Sequence, residues 1–322
     1  MYKALVLLAC LLIPITWGCS AEGHESKPAE TDEPEQQTPV VVGYLPDYRL
    51  NAEQAEPLWL KPITDLIYFS LSLPDSGVFE AGVISEKHLK KLKALQGESG
   101  RRLLLCIGGW SRSDGFPAAT ATRAKRKALI ESLLTICKTQ GFDGVDYDWE
   151  FPKPGGESEN YSALLIETAE EFHRAGLIVT VATHSKQDLG KHVYEAIDRV
   201  HLMCYDQGFP HSTMGHAKHE IREVIGHGCP AGKIVLGIPF YGRNKERDAR
   251  SYGQLIEGKD VTPTTNEIDG YAFNGPALVE RKTRFAVEKK LAGVMIWELT
   301  QDEPRQQPLL RAVAKGLQQD NQ

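Results

Sequence analysis

Three carboxylic acids alternate with larger apolar residues along one short segment, DGVDYDWE at residues 143–150. Successive side chains of a β-strand point to opposite faces, so Asp146, Asp148 and Glu150 share one face at steps of about 7 Å. Burial and mutual repulsion disfavour the charged forms in such a row, and at least one acid should keep its proton near neutral pH. An acid that is still protonated there is the proton donor that cleavage of a glycosidic bond requires.

Other interpretations of this row are a stack of hydrogen-bonded acids, a solvated strand edge and a metal site. A solvated edge would not place Tyr147 and Trp149 on the opposite face. A calcium site would take its ligands from loops rather than from a straight strand. A catalytic row and a stack of hydrogen-bonded acids therefore both stay open at this point, and in either case the apolar face can lie against a helix layer.

Eight short apolar runs alternate with amphipathic stretches from residue 40 onward, as in parallel β/α folds. The predicted strands are Val40–Leu45, Leu66–Leu71, Arg102–Gly108, Gly144–Glu150, Leu177–Thr183, Val200–Tyr205, Ile234–Phe240 and Gly293–Leu299. The predicted helices are Ser85–Leu95, Thr122–Thr139, Ser158–Arg174, Met214–Ile225, Pro276–Lys290 and Asp302–Leu317. Eight such units predict a closed (β/α)8 TIM barrel with its active site at the C-terminal ends of the strands. An open doubly wound sheet would need a G-x-G-x-x-G loop, which the sequence lacks.

One domain is expected over residues 40–320, because no internal repeat or second domain is evident. The longest piece without a regular pattern is 241–275, between the seventh and eighth predicted strands. It is too short for a large inserted α+β domain and long enough to form one wall of a cleft. We therefore expect a shallow, open cleft.

A secretory leader is predicted at residues 1–19, from an early lysine, an apolar run and Gly18-Cys19-Ser20. A small residue before a cysteine resembles a bacterial lipoprotein cleavage site, so Cys19 is expected to carry a lipid anchor; simple secretion is the alternative. Residues 20–39 are acidic and almost without apolar side chains, which predicts a disordered linker. We expect an exported protein, anchored to a membrane and facing the periplasm or the cell exterior.

Composition narrows the possible partners. The formal net charge of −6 argues against nucleic acid and against anionic membrane surfaces, which leaves the lipid anchor as the expected membrane contact. Four cysteines after the leader show no C-x-x-C spacing, so we expect buried free thiols, with one disulfide as the alternative, and no metal site. They are Cys106, Cys137, Cys204 and Cys229. We expect a monomer that works without a cofactor.

The segment DGVDYDWE closely resembles D-G-x-D-x-D-x-E, the signature of glycoside hydrolase family 18, the chitinase family. The resemblance continues through CIGGW at 106–110, MCYD at 203–206, GIPFYGR at 237–243 and GVMIWEL at 293–299. It implies a retaining hydrolase of β-1,4-linked N-acetylglucosamine polymers or oligomers. The acetamido group of the substrate would be the nucleophile, and an oxazolinium ion the intermediate.

The resemblance also implies roles for individual residues. Glu150 would be the general acid and later the base, Asp148 would hold the acetamido N–H, and Asp146 would share a proton with Asp148. Tyr205 would hydrogen-bond the acetyl carbonyl. The implied substrate-binding residues are Trp297 as the floor, with Tyr44, Asp206, Arg243 and Trp110.

Related functions remain open at this point. An endo-β-N-acetylglucosaminidase or a peptidoglycan hydrolase would use the same acids, and a chitin-binding, lectin-like protein would typically lack the acid that Glu150 supplies. One residue departs from the family pattern, because Cys106 stands where the S-x-G-G motif has serine. A thiol is a weaker hydrogen-bond partner, so the surroundings of Asp146 are expected to differ.

Overall fold

A closed barrel of eight parallel strands forms the centre of the protein. The computed structural model describes residues 38–51, 58–74, 76–80, 82–97 and 100–318. The predicted leader with its anchor at Cys19 lies outside the described residues, and so does the predicted linker up to residue 37.

The barrel strands follow one another around the barrel in chain order. The described strands are β1 Val40–Pro46, β2 Asp65–Leu71, β3 Arg102–Gly108, β4 Gly144–Asp148, β5 Ile178–Thr183, β6 Arg199–Leu202, β7 Ile234–Pro239, β8 Tyr241–Arg243, β9 Ala249–Ser251, β10 Glu267–Ile268, β11 Tyr271–Ala272 and β12 Gly293–Trp297. Strands β1 to β7 pair in sequence, and β12 closes the circle between β7 and β1. The predicted (β/α)8 barrel is confirmed.

Helices cover the outside of the barrel. The described helices are α1 Asp47–Leu50, α2 Glu86–Gln96, α3 Phe116–Thr120, α4 Arg123–Gln140, α5 Gly156–Arg174, α6 Lys191–Ala196, α7 Met214–Gly226, α8 Tyr252–Ile256, α9 Pro276–Glu288 and α10 Pro308–Gly316. Hydroxyl caps begin α2, α4 and α7, from Ser85, Thr122 and Thr213, and Gly141 ends α4 with φ 73°. Within the described residues, no helix is long and apolar enough to cross a membrane.

Four barrel strands, β4, β6, β7 and β12, end earlier than the sequence predicted, and in two of them this moves a site residue into a loop. Strand β4 ends at Asp148 and β6 at Leu202, so Glu150 and Tyr205 lie in the loops that follow. Beyond Asp148 the backbone bonds to a side chain instead of a neighbouring strand, because the N–H of Glu150 donates to Ser113 Oγ at 3.1 Å. Both loops open at the C-terminal mouth of the barrel, where loops supply catalytic groups in this fold.

The last helix begins later than predicted. The sequence pattern placed its start at Asp302, whereas α10 starts at Pro308. The buried Asp302 carboxylate accepts the backbone N–H groups of Leu309 and Leu310, at 3.3 and 2.9 Å. Asp302 therefore caps the helix from outside it, which its position in an amphipathic pattern did not reveal.

The segment 241–275 is more ordered than its sequence suggested. Strands β8 to β11 form a small antiparallel sheet in the order β10-β11-β8-β9, and α8 follows β9. The strands are only two or three residues long, too short for an alternating pattern to be recognised. The segment forms part of one cleft wall, and it is not a large inserted domain.

The outer face of β4 packs against helices, as predicted. The Trp149 ring stacks on Phe116 at 4.8 Å between centroids and meets the edge of Tyr161 at 5.2 Å. The Tyr147 hydroxyl lies 3.0 Å from Thr168 Oγ1 of α5. Because alternate residues are fixed outward, the acids between them must point into the barrel.

A buried lysine joins α9 to the loop after β6. Lys282 is 0 % exposed, and its ammonium nitrogen lies 2.7 Å from Ser212 Oγ. Ser212 Oγ in turn donates to the backbone oxygen of Cys204 at 2.9 Å. Burial lowers the pKa of Lys282 to about 7. The four cysteines after the leader are all free and buried, which confirms the predicted thiols.

Replacing this lysine should remove part of the pH dependence of stability. An unfolded lysine holds its proton up to about pH 10, so the unfolded chain binds more protons than the folded one between about pH 7 and 10. The free energy of unfolding of the wild type should therefore rise over that interval, by up to about 4 kcal/mol from this group. Lys282→Met should flatten the rise, as measured by urea unfolding. The exposed Lys289→Met is the control, and equal slopes in wild type and Lys282→Met would contradict the assignment.

Candidate active site

The row of acids rises from the barrel interior to the mouth with increasing exposure. Asp146 is 0 % and Asp148 3 % exposed, whereas Glu150 is half-buried in the loop after β4. Asp148 and Glu150 line a cleft of about 1100 Å³, and Asp146 is not part of its lining. The sequence prediction that the three acids share an inward face agrees with these positions.

Asp146 is surrounded by donors from three other barrel strands. Its oxygens accept from the Tyr44 hydroxyl at 2.7 Å and from Thr180 Oγ1 at 2.6 Å. His201 Nδ1 lies 3.1 Å from Asp146 Oδ1. Burial alone would raise the pKa of Asp146, but His201, Thr180 and Tyr44 together bring it below the usual range. Asp146 is therefore the ionised member of the row.

Asp148 differs from Asp146, because its surroundings favour the protonated form. Burial, followed by repulsion from Glu150 and Asp146, raises the pKa of Asp148 well above its usual value. Its Oδ1 is buried and makes no hydrogen bond to any described residue. A carboxyl oxygen that is free of partners at the bottom of an open cleft is available to a ligand atom.

Glu150 is the acid nearest to solvent. Burial raises its pKa to about 7, a backbone hydrogen bond from Trp110 opposes the rise, and the charge of Asp206 adds to it. Ser113 Oγ positions this loop, because it accepts from Glu150 N and also lies 3.2 Å from the Asp148 backbone oxygen. Glu150 can thus donate a proton near neutral pH.

Aromatic rings form an apolar floor beside the acids. Trp297 packs edge-on to Phe69 at 4.6 Å and lies 5.6 Å from the Tyr44 ring. The Tyr205 hydroxyl faces the cleft. Among the described residues it has one hydrogen-bond acceptor, Met295 Sδ at 3.9 Å. Such a weak sulfur acceptor leaves the hydroxyl free to bind a stronger one.

A network of charges fixes the rim on the side of β6 and β8. Arg243 Nη2 donates to Asp206 Oδ2 at 2.7 Å, and Arg243 Nε lies 2.7 Å from Oδ1. His211 Nδ1 lies 3.0 Å from the same oxygen. Burial opposes ionisation of Asp206, but His211 and Arg243 lower its pKa below the usual range. Asp206 therefore stays charged and raises the pKa of Glu150.

Exposed aromatic side chains extend along the cleft away from the acids. Trp110 is 73 %, Tyr48 50 % and Phe151 40 % exposed, and all three line the cleft. His184 also lines it and lies 4.4 Å from the Phe151 ring. Rings with open faces are well suited to stack on flat, partly apolar ligands such as sugars.

Eight of the nine residues predicted for the site line the cleft. They are Tyr44, Trp110, Asp148, Glu150, Tyr205, Asp206, Arg243 and Trp297, and the ninth, Asp146, supports them from below. Sequence reasoning missed His201, Thr180 and Ser113, which hold the acids. Each lies in a separate segment without a motif of its own, so no local signal identified it. Among the described residues, no group of three histidine, cysteine or acidic side chains could hold a metal.

Comparison with known proteins gives one consistent family. The model described as "Glycosyl hydrolases family 18" matches residues 40–302. Chitinase 1 of Aphanocladium album is 25% identical over 78% of this chain and 72% of its own length. The GH18 chitinase ChiB of Flavobacterium johnsoniae has a TM-score of 0.77 at 22% identity, over 87% of this chain and 94% of that one. A GH18 chitinase of Cycas revoluta solved with (GlcNAc)4 has a TM-score of 0.75 at 22% identity, over 87% and 100%.

Proposed function

The chain belongs to glycosyl hydrolase family 18 and is a glycoside hydrolase, and from this premise we propose that it cleaves β-1,4-linked N-acetylglucosamine polymers or oligomers. The observation that carries the proposal is the row of three acids that rises into the cleft: Asp146 held from below by hydrogen-bond donors, Asp148 with a free buried oxygen, and Glu150 at the mouth, where burial raises its pKa to about 7. The names of related chitinases and the (GlcNAc)4 complex of a structural neighbour support the same substrate class.

The proposed reaction uses the substrate's own acetamido group. Glu150 gives its proton to the glycosidic oxygen, the bond from that oxygen to the anomeric carbon breaks, and the acetamido oxygen forms the new bond to that carbon. A positive oxazolinium ion results. Water then adds to the anomeric carbon from the side that the leaving group vacated, and the bond from that carbon to the acetamido oxygen breaks. The water gives a proton to Glu150, and the configuration is retained. A nucleophile tethered to the substrate avoids the entropy cost of bringing in a separate group.

The surrounding residues fit this chemistry. The free buried oxygen of Asp148 would accept the acetamido N–H, and the charged Asp146 beneath it would stabilise the positive charge that develops. The Tyr205 hydroxyl would donate to the acetyl oxygen. Trp297 would pack against the acetyl group and exclude water from the reacting bond. Trp110, Asp206 and Arg243 would bind neighbouring sugars, and Tyr44, whose hydroxyl donates to Asp146, would form part of the floor beside Trp297.

Glycoprotein glycans and peptidoglycan remain alternative substrates, because both present an N-acetyl group beside a glycosidic bond. The open cleft supports cutting within chains. Export and a lipid anchor at Cys19 remain predictions from the leader sequence.

The acetamido requirement gives the sharpest test of the proposed function. Chitin oligomers should be cleaved, whereas fully deacetylated oligomers of equal length should not, because they lack the nucleophile. Chromatography of products should be run in parallel on chitin oligomers, deacetylated oligomers, glycoprotein glycans and cell-wall sacculi. Equal rates with and without acetyl groups would rule out the proposed mechanism. Cleavage of glycans or sacculi alone would identify the protein as an endo-β-N-acetylglucosaminidase or a peptidoglycan hydrolase instead.

Removal of the proton donor should separate turnover from binding. Glu150→Gln keeps the size of the side chain and cannot protonate the leaving oxygen, so kcat should fall by a factor on the order of 10² to 10⁴. Oligosaccharide affinity, measured by calorimetry, should change little. Glu157→Gln, in the first turn of α5 and outside the cleft lining, is a matched control that should keep wild-type turnover. Wild-type kcat in Glu150→Gln would refute the assigned acid.

The rate should decline toward alkaline pH. Glu150 must be protonated to act, and burial raises its pKa to about 7. The value of kcat/KM for a soluble chromogenic oligomer should therefore fall as pH rises through about 7, since it reports the free enzyme. A profile that stays flat to about pH 9 would contradict the role of Glu150.

A further inference from the structure

One buried side chain beside the acids has no part in the proposed reaction. His201, in the middle of β6, is 0 % exposed and cannot touch a ligand in the cleft. Its Nε2 is buried without a hydrogen-bond partner among the described residues. Its other nitrogen, Nδ1, lies 3.1 Å from Asp146 Oδ1 and 3.0 Å from the Tyr44 hydroxyl oxygen. A polar ring is costly to bury, so this contact calls for an explanation.

The distances around Tyr44 indicate where the hydrogens lie. Tyr44 has one hydroxyl proton and two neighbours that could accept it, Asp146 Oδ2 at 2.7 Å and His201 Nδ1 at 3.0 Å. The shorter contact, to a carboxylate, takes the proton. His201 Nδ1 must then carry its own hydrogen, because a bare lone pair would face the oxygens of both neighbours. The imidazole is thus a donor toward the Asp146–Tyr44 pair.

We propose that His201 is a positioning residue that keeps Asp146 ionised, so that the proton of the row stays on the Asp148–Glu150 pair. This inference rests on the proposed function of that pair. The sequence led us to expect that Asp146 and Asp148 share a proton, but no hydrogen bond joins them in the described residues. Three donors already occupy acceptor positions on Asp146.

Few other groups that titrate face the His201–Asp146 pair. Among the described residues they are Tyr44 from β1, Cys106 from β3, Asp148 from β4 and Tyr161 from α5, with Arg112 acting on Cys106. Burial and the nearby carboxylates raise the pKa of Tyr44 and of the Cys106 thiol well above their usual values, so both stay neutral. Asp148 is protonated for the reasons given above. His201 is therefore the partner whose replacement would change the proton affinity of Asp146 most.

The consequence for pH dependence has a definite sign. Without the imidazole donor, Asp146 would bind its proton more tightly and ionise at higher pH. Asp146 would then be neutral in mildly acidic solution, and the positive intermediate would form without the negative charge beneath it. The acid limb of the kcat profile should move to higher pH, while the alkaline limb set by Glu150 should change less.

The experiment compares two substitutions at this position. His201→Leu keeps most of the side-chain volume and removes the donor. The pH at which kcat is half-maximal on the acidic side should therefore rise by about one unit or more, with KM within about threefold of wild type. His201→Asn keeps an N–H donor at the distance of Nδ1, so it should restore the wild-type limb. Val200→Ala is the structural control, since Val200 is a buried neighbour on the opposite face of β6. It should lower the melting temperature without moving the limb.

A second measurement does not depend on turnover. Infrared titration of protein with ¹³C-labelled aspartate carboxyl groups should show a buried carboxyl that ionises at higher pH in His201→Leu than in wild type. If wild type cleaves acetylated oligomers but His201→Leu reproduces both its pH profile and its carboxyl titration, the role of His201 is overturned and the proposed function stands. If wild type cleaves none of the substrates, the proposed function fails, and the carboxyl titration alone decides the role of His201.

Discussion

Three carboxyl groups in one row, which runs from β4 into the loop after it, cannot all be charged, and the rest of the site is arranged around that constraint. Repulsion and burial would neutralise the whole row if nothing opposed them. Donors from β1, β5 and β6 keep the lowest acid, Asp146, ionised. The charge fixed there and the burial above it keep the proton on Asp148 and Glu150. A strand of alternating acids thereby becomes one anion and a proton donor, as acid catalysis near neutral pH requires.

The barrel supplies this arrangement because its strands meet side by side over a common interior. The outward residues Tyr147 and Trp149 are locked against α3 and α5, which leaves the acids no other orientation. The loops that follow the strands position the remaining groups of the site. Ser113 positions the backbone of Glu150, and the pair formed by Arg243 and Asp206 fixes a charge near it. Strand and loop therefore have separate tasks: the strand sets the order of the acids, and the loops set how far each reaches into the cleft.

The sequence predicted those features that depend on local periodicity. Eight apolar runs were sufficient for the barrel, and alternation alone placed Asp146, Asp148 and Glu150 on one face. Features that depend on neighbours distant in sequence could not be predicted. His201 lies in VHLMCY, which resembles any buried strand, and its partner Asp146 comes from another strand of the barrel. Likewise, the strands of the sheet in 241–275 are stabilised by pairing, because two or three residues carry no pattern of their own.

The cysteine at position 106 shows why the β4 motif is not sufficient to describe the site. Considered alone, a thiol in place of a hydroxyl would leave Asp146 poorly held and free to exchange a proton with Asp148. The register places Cys106 directly beside Asp146, so the substitution is at the critical place. Yet Asp146 keeps two short hydroxyl donors, from Tyr44 and Thr180, and a ring nitrogen from His201. The weaker partner on β3 therefore stands beside stronger donors on β1, β5 and β6. The position of the proton in this row is therefore a property of four surrounding strands, and a chain with the same β4 motif and other residues at these positions would hold its proton differently.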